Sequence, residues 1–169
     1  MSLIYTFRVL SNEEESFILE LKLRSDQTFL HLHEAIQKAL KYDKSQVTSF
    51  YLTNQNWEKE KEITLLEMSD KTKTGPLTMT KSSLKDHLKQ VKDRLLYIYD
   101  FFYERALNIE LIQIDKGPGD TNFPICIRLE GKIPQQILTP DLIPGDIKDF
   151  LYNDDYDDIR LESLDDLEI

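Results

Sequence analysis

The stretch "YIYDFFYERALNIELIQI", residues 97–114, decides the fold. It reads either as a buried hairpin or as the end of one long helix. Leu84, Leu88, Val91, Leu95, Ile98 and Phe102 are spaced 4, 3, 4, 3 and 4, a heptad seam that runs into the stretch. A rod from Ser83 to about Ile114 would be far longer than the usual soluble helix. From 95 to 103 nearly every position is apolar or aromatic, which leaves no polar face. Leu107, Ile109 and Leu111 then alternate with polar residues at period two. The reading preferred is a short helix at 83–91, a strand at 94–102, a turn near Tyr103-Glu104-Arg105 and a strand at 106–114.

Upstream, "LIYTFRVL" (3–10) is rich in β-formers, and "FILELKLR" (17–24) alternates cleanly. The pair predicts a hairpin with Phe17, Leu19, Leu21 and Leu23 turned inward. Asp26 or Ser25 is placed to cap a helix in which Phe29, Leu32, Ile36, Ala39 and Leu40 form one apolar stripe. Strands are expected at 46–53, 62–68 and 125–131, and a polar loop at 69–80. The fold class is α+β: an antiparallel or mixed sheet with one main helix and one short helix.

The single cysteine, Cys126, forbids an intrachain disulfide and fits a reducing compartment. With no signal-like lead and no long apolar run, the sequence reads as cytoplasmic, with no membrane contact. The net charge of −10 is concentrated at one end. Residues 145–169 hold ten acids and two bases, whereas the other 144 residues carry −2. The expected organisation is one domain over 1–140 and a flexible acidic tail over 145–169. Such a tail opposes direct nucleic-acid binding through itself.

Three segments resemble the plasmid pRiA open-reading-frame-three-like family, members of which occur as passengers of insertion elements. "FLHLHEAIQKALKYDKSQVTSFYL" (29–52) carries a Leu32-His33 pair opening a helix, a Tyr42-Asp43 turn and a strand ending in Phe50. "LLYIYDFFYERALNIELIQI" (95–114) carries Tyr99-Asp100-Phe101. "FPICIRLEGKIPQQ" (123–136) carries the Pro, the Cys and the Gly followed by proline. The chain departs from the family where Gly-Asp, a Trp and a His usually follow. Phe102, Tyr103, Arg105 and Leu107 stand there instead. The resemblance implies an α+β domain in which Tyr-Asp-Phe is a strand entering a turn, with an opening similar to a β-grasp. It implies no activity.

No catalytic residue, cofactor or metal site is expected. His31 and His33, two apart on a helix, point about 200° away from each other and share no ion. His33 borders the apolar stripe as a partly buried structural residue, and His87 reads as solvated. Cys126, between two isoleucines, reads as a buried structural thiol. Asp100 interrupts an apolar run, so it faces out or is buried with a partner, and Arg105 is within reach past the turn. Tyr97, Tyr99 and Phe101 share one strand face, best read as core. Lys81, Lys85, Lys89 and Lys92 form a stripe at helical spacing, read as a solvated face.

The function expected is a non-enzymatic binding or adaptor domain, associated with mobile DNA elements through the family. Its acidic tail would contact a basic protein through Asp154, Asp155, Asp157, Asp158, Leu161 and Leu164. The alternative is a small-ligand or enzyme domain with a pocket near His33, Asp100 and Arg105.

Overall fold

The backbone reverses at Phe101–Glu104, and the flanks pair as neighbouring antiparallel strands, β6 (Arg94–Asp100) and β7 (Arg105–Lys116). This excludes the long helix. The computed structural model describes residues 3–65, 77–117 and 122–138. Asp100 builds the reversal: its Oδ1 accepts hydrogen bonds from the backbone N–H groups of Phe102 (3.1 Å) and Tyr103 (3.2 Å). Glu104 supplies the left-handed residue, at φ 53°.

Before this hairpin come β1 (Leu3–Ser11), β2 (Ile18–Arg24), α1 (Phe29–Leu40), β3 (Ser49–Thr53), β4 (Lys59–Thr64), β5 (Leu77–Thr78) and α2 (Leu84–His87). After it comes β8 (Ile125–Glu130). The strands form one mixed sheet in the order β5-β4-β3-β6-β7-β1-β2-β8, antiparallel everywhere except between β4 and β5. The first strand therefore lies beside the seventh, near the middle of the sheet. Among the described residues no helix is long and apolar enough to cross a membrane.

Alternation sorts the sheet into two faces. On the α1 side, Tyr5, Phe7 and Val9 of β1 stand opposite Leu23, Leu21 and Leu19 of β2. All six are buried, as is Phe17, so the face predicted for 17–23 is the core face. Leu107, Ile109 and Leu111 continue it on β7, Leu95 and Tyr97 on β6, and Phe50 and Ile63 on β3 and β4. Phe29, Leu32, Ile36 and Leu40 of α1 cover it. Each such side chain contributes roughly 1.5–3 kcal/mol on burial.

The opposite face carries a transverse row of alternating charges. Register places Arg94 beside Glu110, Glu110 beside Arg8, Arg8 beside Glu20 and Glu20 beside Arg128, from β6 across β7, β1 and β2 to β8. Arg8 Nε lies 2.9 Å from Glu20, Arg128 3.5 Å from Glu20 and Arg94 3.6 Å from Glu110. Opposite charges in directly facing positions stabilise a sheet and resist a slipped register.

Four local expectations are corrected. The cap of α1 is Thr28, not Asp26 or Ser25: its Oγ1 accepts from His31 N–H while its own N–H donates to His31 Nδ1 at 3.0 Å. The second helix spans only Leu84–His87. Asp93 Oδ2 takes the N–H groups of Lys89 (2.7 Å) and Gln90 (3.0 Å), a side-chain acceptor that replaces further helical turns. Lys81, Lys85, Lys89 and Lys92 thus form no helical stripe. His87 is half-buried, with its ring 5.9 Å from that of Phe29 in an edge-on contact. Burial pushes its pKa down. The proposed tail, with Asp154, Asp155, Asp157, Asp158, Leu161 and Leu164, lies outside the described residues.

Candidate functional site

Two polar clusters lie on the α1 side among the described residues. The first centres on Arg105, at the start of β7, with a side chain only 7% exposed. All five guanidinium donors are used. Nε and Nη2 donate to the two carboxylate oxygens of Glu13, each at 2.8 Å. Nη1 donates to Gln136 O (3.0 Å) and to Asp100 Oδ2 (3.4 Å), and Nη2 to Gln135 O (2.5 Å). The guanidinium lies over the Tyr99 ring at 4.8 Å. Burial, the largest single influence, lowers its pKa, but the hydrogen bonds and charge of Glu13, together with Tyr99 and Asp100, outweigh it and the pKa is raised.

The same cluster fixes the chain after β8. Gly131, at φ 79°, turns out of the strand where a Cβ would collide with the Ser16 carbonyl. Tyr42 donates to Pro134 O at 2.5 Å. The Gln136 side-chain amide pairs with the Asp43 backbone in both directions, at 2.5 and 3.0 Å. The Tyr42 and Tyr99 rings pack 5.5 Å apart, and burial raises both phenol pKa values. Three separate stretches of sequence therefore meet here: Tyr42-Asp43, Tyr99-Asp100 with Arg105, and Pro134-Gln135-Gln136.

His33 stands elsewhere in the core, 4% exposed. Its Nδ1 is 2.8 Å from Tyr97 Oη and 3.2 Å from Thr48 Oγ1. Burial lowers its pKa to about 4, so the ring is neutral at pH 7, with Nδ1 hydrogen-bonded to these hydroxyls. Of the residues singled out as a pocket, Asp100 and Arg105 are partners, while His33 touches neither.

The second cluster is a cleft of about 530 Å³ between α1 and β8. Its floor includes Leu21, Ala35 and Ala39, and its rim His31, Glu34, Lys38 and Cys126. His31, Glu34, Ala35 and Lys38 fall at i, i+3, i+4 and i+7 and so share one side of the helix. The cleft exists because Ala35 and Ala39 present only methyl groups there. Glu34 and Lys38 make no ion pair among the described residues. His31 spends Nδ1 on the helix cap, which puts its proton on Nε2. Cys126 is exposed, not buried, because β8 is an edge strand with nothing beyond it among the described residues. Among those residues no group of three His, Cys, Asp or Glu side chains is arranged to hold a metal.

Comparison with known proteins settles the relationship suggested by the three meeting segments. The model of the plasmid pRiA4b ORF-3-like protein family matches residues 4–137. The chain belongs to this family. The match spans all of the sheet but Leu3 and stops one residue after the Gln136 contacts. Curated proteins offer no match. A solved structure with a similar fold is that of a protein of unknown function, MM3350, from Methanosarcina mazei Go1. It is 23% identical, with a TM-score of 0.58 over 76% of this chain and 70% of that one. At that identity the likeness speaks for the fold alone.

The cleft was missed by sequence reasoning. Its one available signal was the pair of alanines, Ala35 and Ala39, one turn apart on a helix otherwise lined with larger residues.

Proposed function

We propose that this family member is a binding domain, and that it takes a small organic molecule with an apolar body and a charged head in the cleft between α1 and β8. The observation that carries the reading is an open cleft of about 530 Å³ whose rim charges, Glu34 and Lys38, make no ion pair among the described residues. Pockets of roughly 300–1,000 Å³ with an apolar lining and a few polar groups are the usual form of small-molecule sites. The enzyme alternative built on His33, Asp100 and Arg105 has weaker support. Arg105 has no donor left, His33 is sealed, and none of the three lines the cleft.

The test uses 8-anilinonaphthalene-1-sulfonate, a fluorescent probe with an apolar body and an anionic head. The expected result is saturable binding at one site on the folded protein. Ala35→Leu, which fills the cleft, abolishes it, and Lys38→Glu weakens it. Saturating probe also slows alkylation of Cys126 by iodoacetamide. Absence of saturable fluorescence, or undiminished binding by a folded Ala35→Leu variant, refutes the proposal.

A further inference from the structure

The charge row on the open face ends abruptly at β8. Its signs alternate strand by strand, and the last member, the cation Arg128, stands at the outer edge of the sheet. Glu130 lies two residues along on the same face, close enough to pair with Arg128 within the strand. Between and beside them, Ile127 is 46% exposed and Leu129 42% exposed. Among the described residues nothing pairs with the outer edge of β8, and an edge strand that combines unpaired backbone groups with exposed branched side chains is a template for another strand.

We propose that β8 pairs antiparallel with β8 of a second copy of this chain, about a two-fold axis through Leu129. In this register Arg128 of each copy faces Glu130 of the other, twice by symmetry, and Leu129 faces its own counterpart. The alternation of the row thus continues across the junction, with an anion following the terminal cation. An axis through Arg128 instead sets two arginines face to face, which is destabilising. An axis through Ile127 falls on the bulge between the Leu21 and Glu20 pairings, where the strand is out of step. Charge and geometry therefore select both the occupant and the register. The contact is isologous and closes on itself, so it yields a dimer and not a fibre. The axis is perpendicular to the sheet, so both α1 helices lie on one side and the two clefts flank the junction.

Sedimentation equilibrium of the full chain over a wide concentration series tests this. The expected result is a reversible monomer–dimer equilibrium. Arg128→Glu and Glu130→Arg each weaken it by about tenfold, the effect of turning two attractions into two repulsions. The double variant, with the charges exchanged, restores it. Leu129→Lys, at an exposed position, abolishes it without touching the charge row. The register has its own readout in spin labels on the lone Cys126. With the axis at Leu129 they sit ~20 Å apart along the strand direction, at about 3.4 Å per residue. With the axis at Ile127 they would sit within ~7 Å. A monomer at every concentration, a dimer indifferent to Leu129→Lys, or folded charge-exchanged protein that does not re-associate overturns the proposal. The short label distance overturns its register.

Discussion

The Arg105 cluster and the α1–β8 cleft lie on the same side of the sheet and are both rich in charge, yet they are opposite in kind. Around Arg105 five donors meet five acceptors, and the guanidinium lies over the Tyr99 ring. Around the cleft Glu34 and Lys38 have nothing to bind among the described residues, and the floor is apolar. A fully satisfied buried ion cluster holds segments together, because removing any member leaves the others stranded. An unsatisfied rim over an apolar floor has its interactions still to make. The most conspicuous polar cluster of the molecule is thus its fastening, and the quieter one is the better candidate for recognition.

Substitutions separate the two regions. The largest effect is expected at Arg105. Arg105→Met strands Asp100, Glu13 and two backbone carbonyls, and urea unfolding should show a loss of about 3 kcal/mol. Arg105→Lys should recover less than half, since an ammonium has three donors and no planar fork. A loss below about 1 kcal/mol for Arg105→Met would break the contrast, because the cluster would then hold nothing.

Next is the buried histidine. The folded-state pKa of His33 is about 4 against an ordinary value near 6.5, so the unfolded chain binds the extra proton between these values. Stability should be fully present above pH 6.5 and fall as the pH drops towards 4. The loss is at most about 3 kcal/mol, less what solvent screening removes. His33→Gln should flatten this part of the unfolding-versus-pH curve. An unchanged slope would place the titration on another group.

Thr28→Ala should cost about 1 kcal/mol through the lost helix cap, read from the thermal unfolding midpoint. Smallest of all, Glu34→Gln and Lys38→Gln should each change stability by less than about 0.5 kcal/mol. Probe titration should nonetheless move in opposite directions, with an anionic head gaining from Glu34→Gln and losing from Lys38→Gln. Equal responses to the two would remove the rim from the recognition argument.

Much of the fold was legible where burial is one-sided. The alternation of Phe17, Leu19, Leu21 and Leu23 and the stripe from Phe29 to Leu40 each report a face pressed on the core. The reversal near Tyr103 was legible because the apolar run left no polar face for a helix. Besides the cleft and the Thr28 cap, three features escaped. The spacing of Leu84, Leu88 and Val91 promised two and a half turns of helix, but Val91 is 44% exposed and Asp93 diverts the backbone donors. Two isoleucines around Cys126 suggested a buried thiol, since a local pattern cannot distinguish a strand with two neighbours from one with a single neighbour. The pairing of Asp100 with Arg105 was anticipated from their nearness in sequence. The participation of Glu13, Gln135 and Gln136 depends on strands brought together from distant positions, and no local pattern encodes it.

That placement of the first strand beside the seventh also bears on how the chain comes to be folded. Leu3–Ser11 finds its long partner only across Leu107–Lys116, so some hundred residues must be made before the middle of the sheet exists. Until then the opening hairpin and α1 can bury only part of their apolar surface, and loop closure of that length slows the search. A ribosome-bound chain halted before residue 107 is expected to be chaperone-bound and protease-sensitive, and one released after 136 to resist digestion.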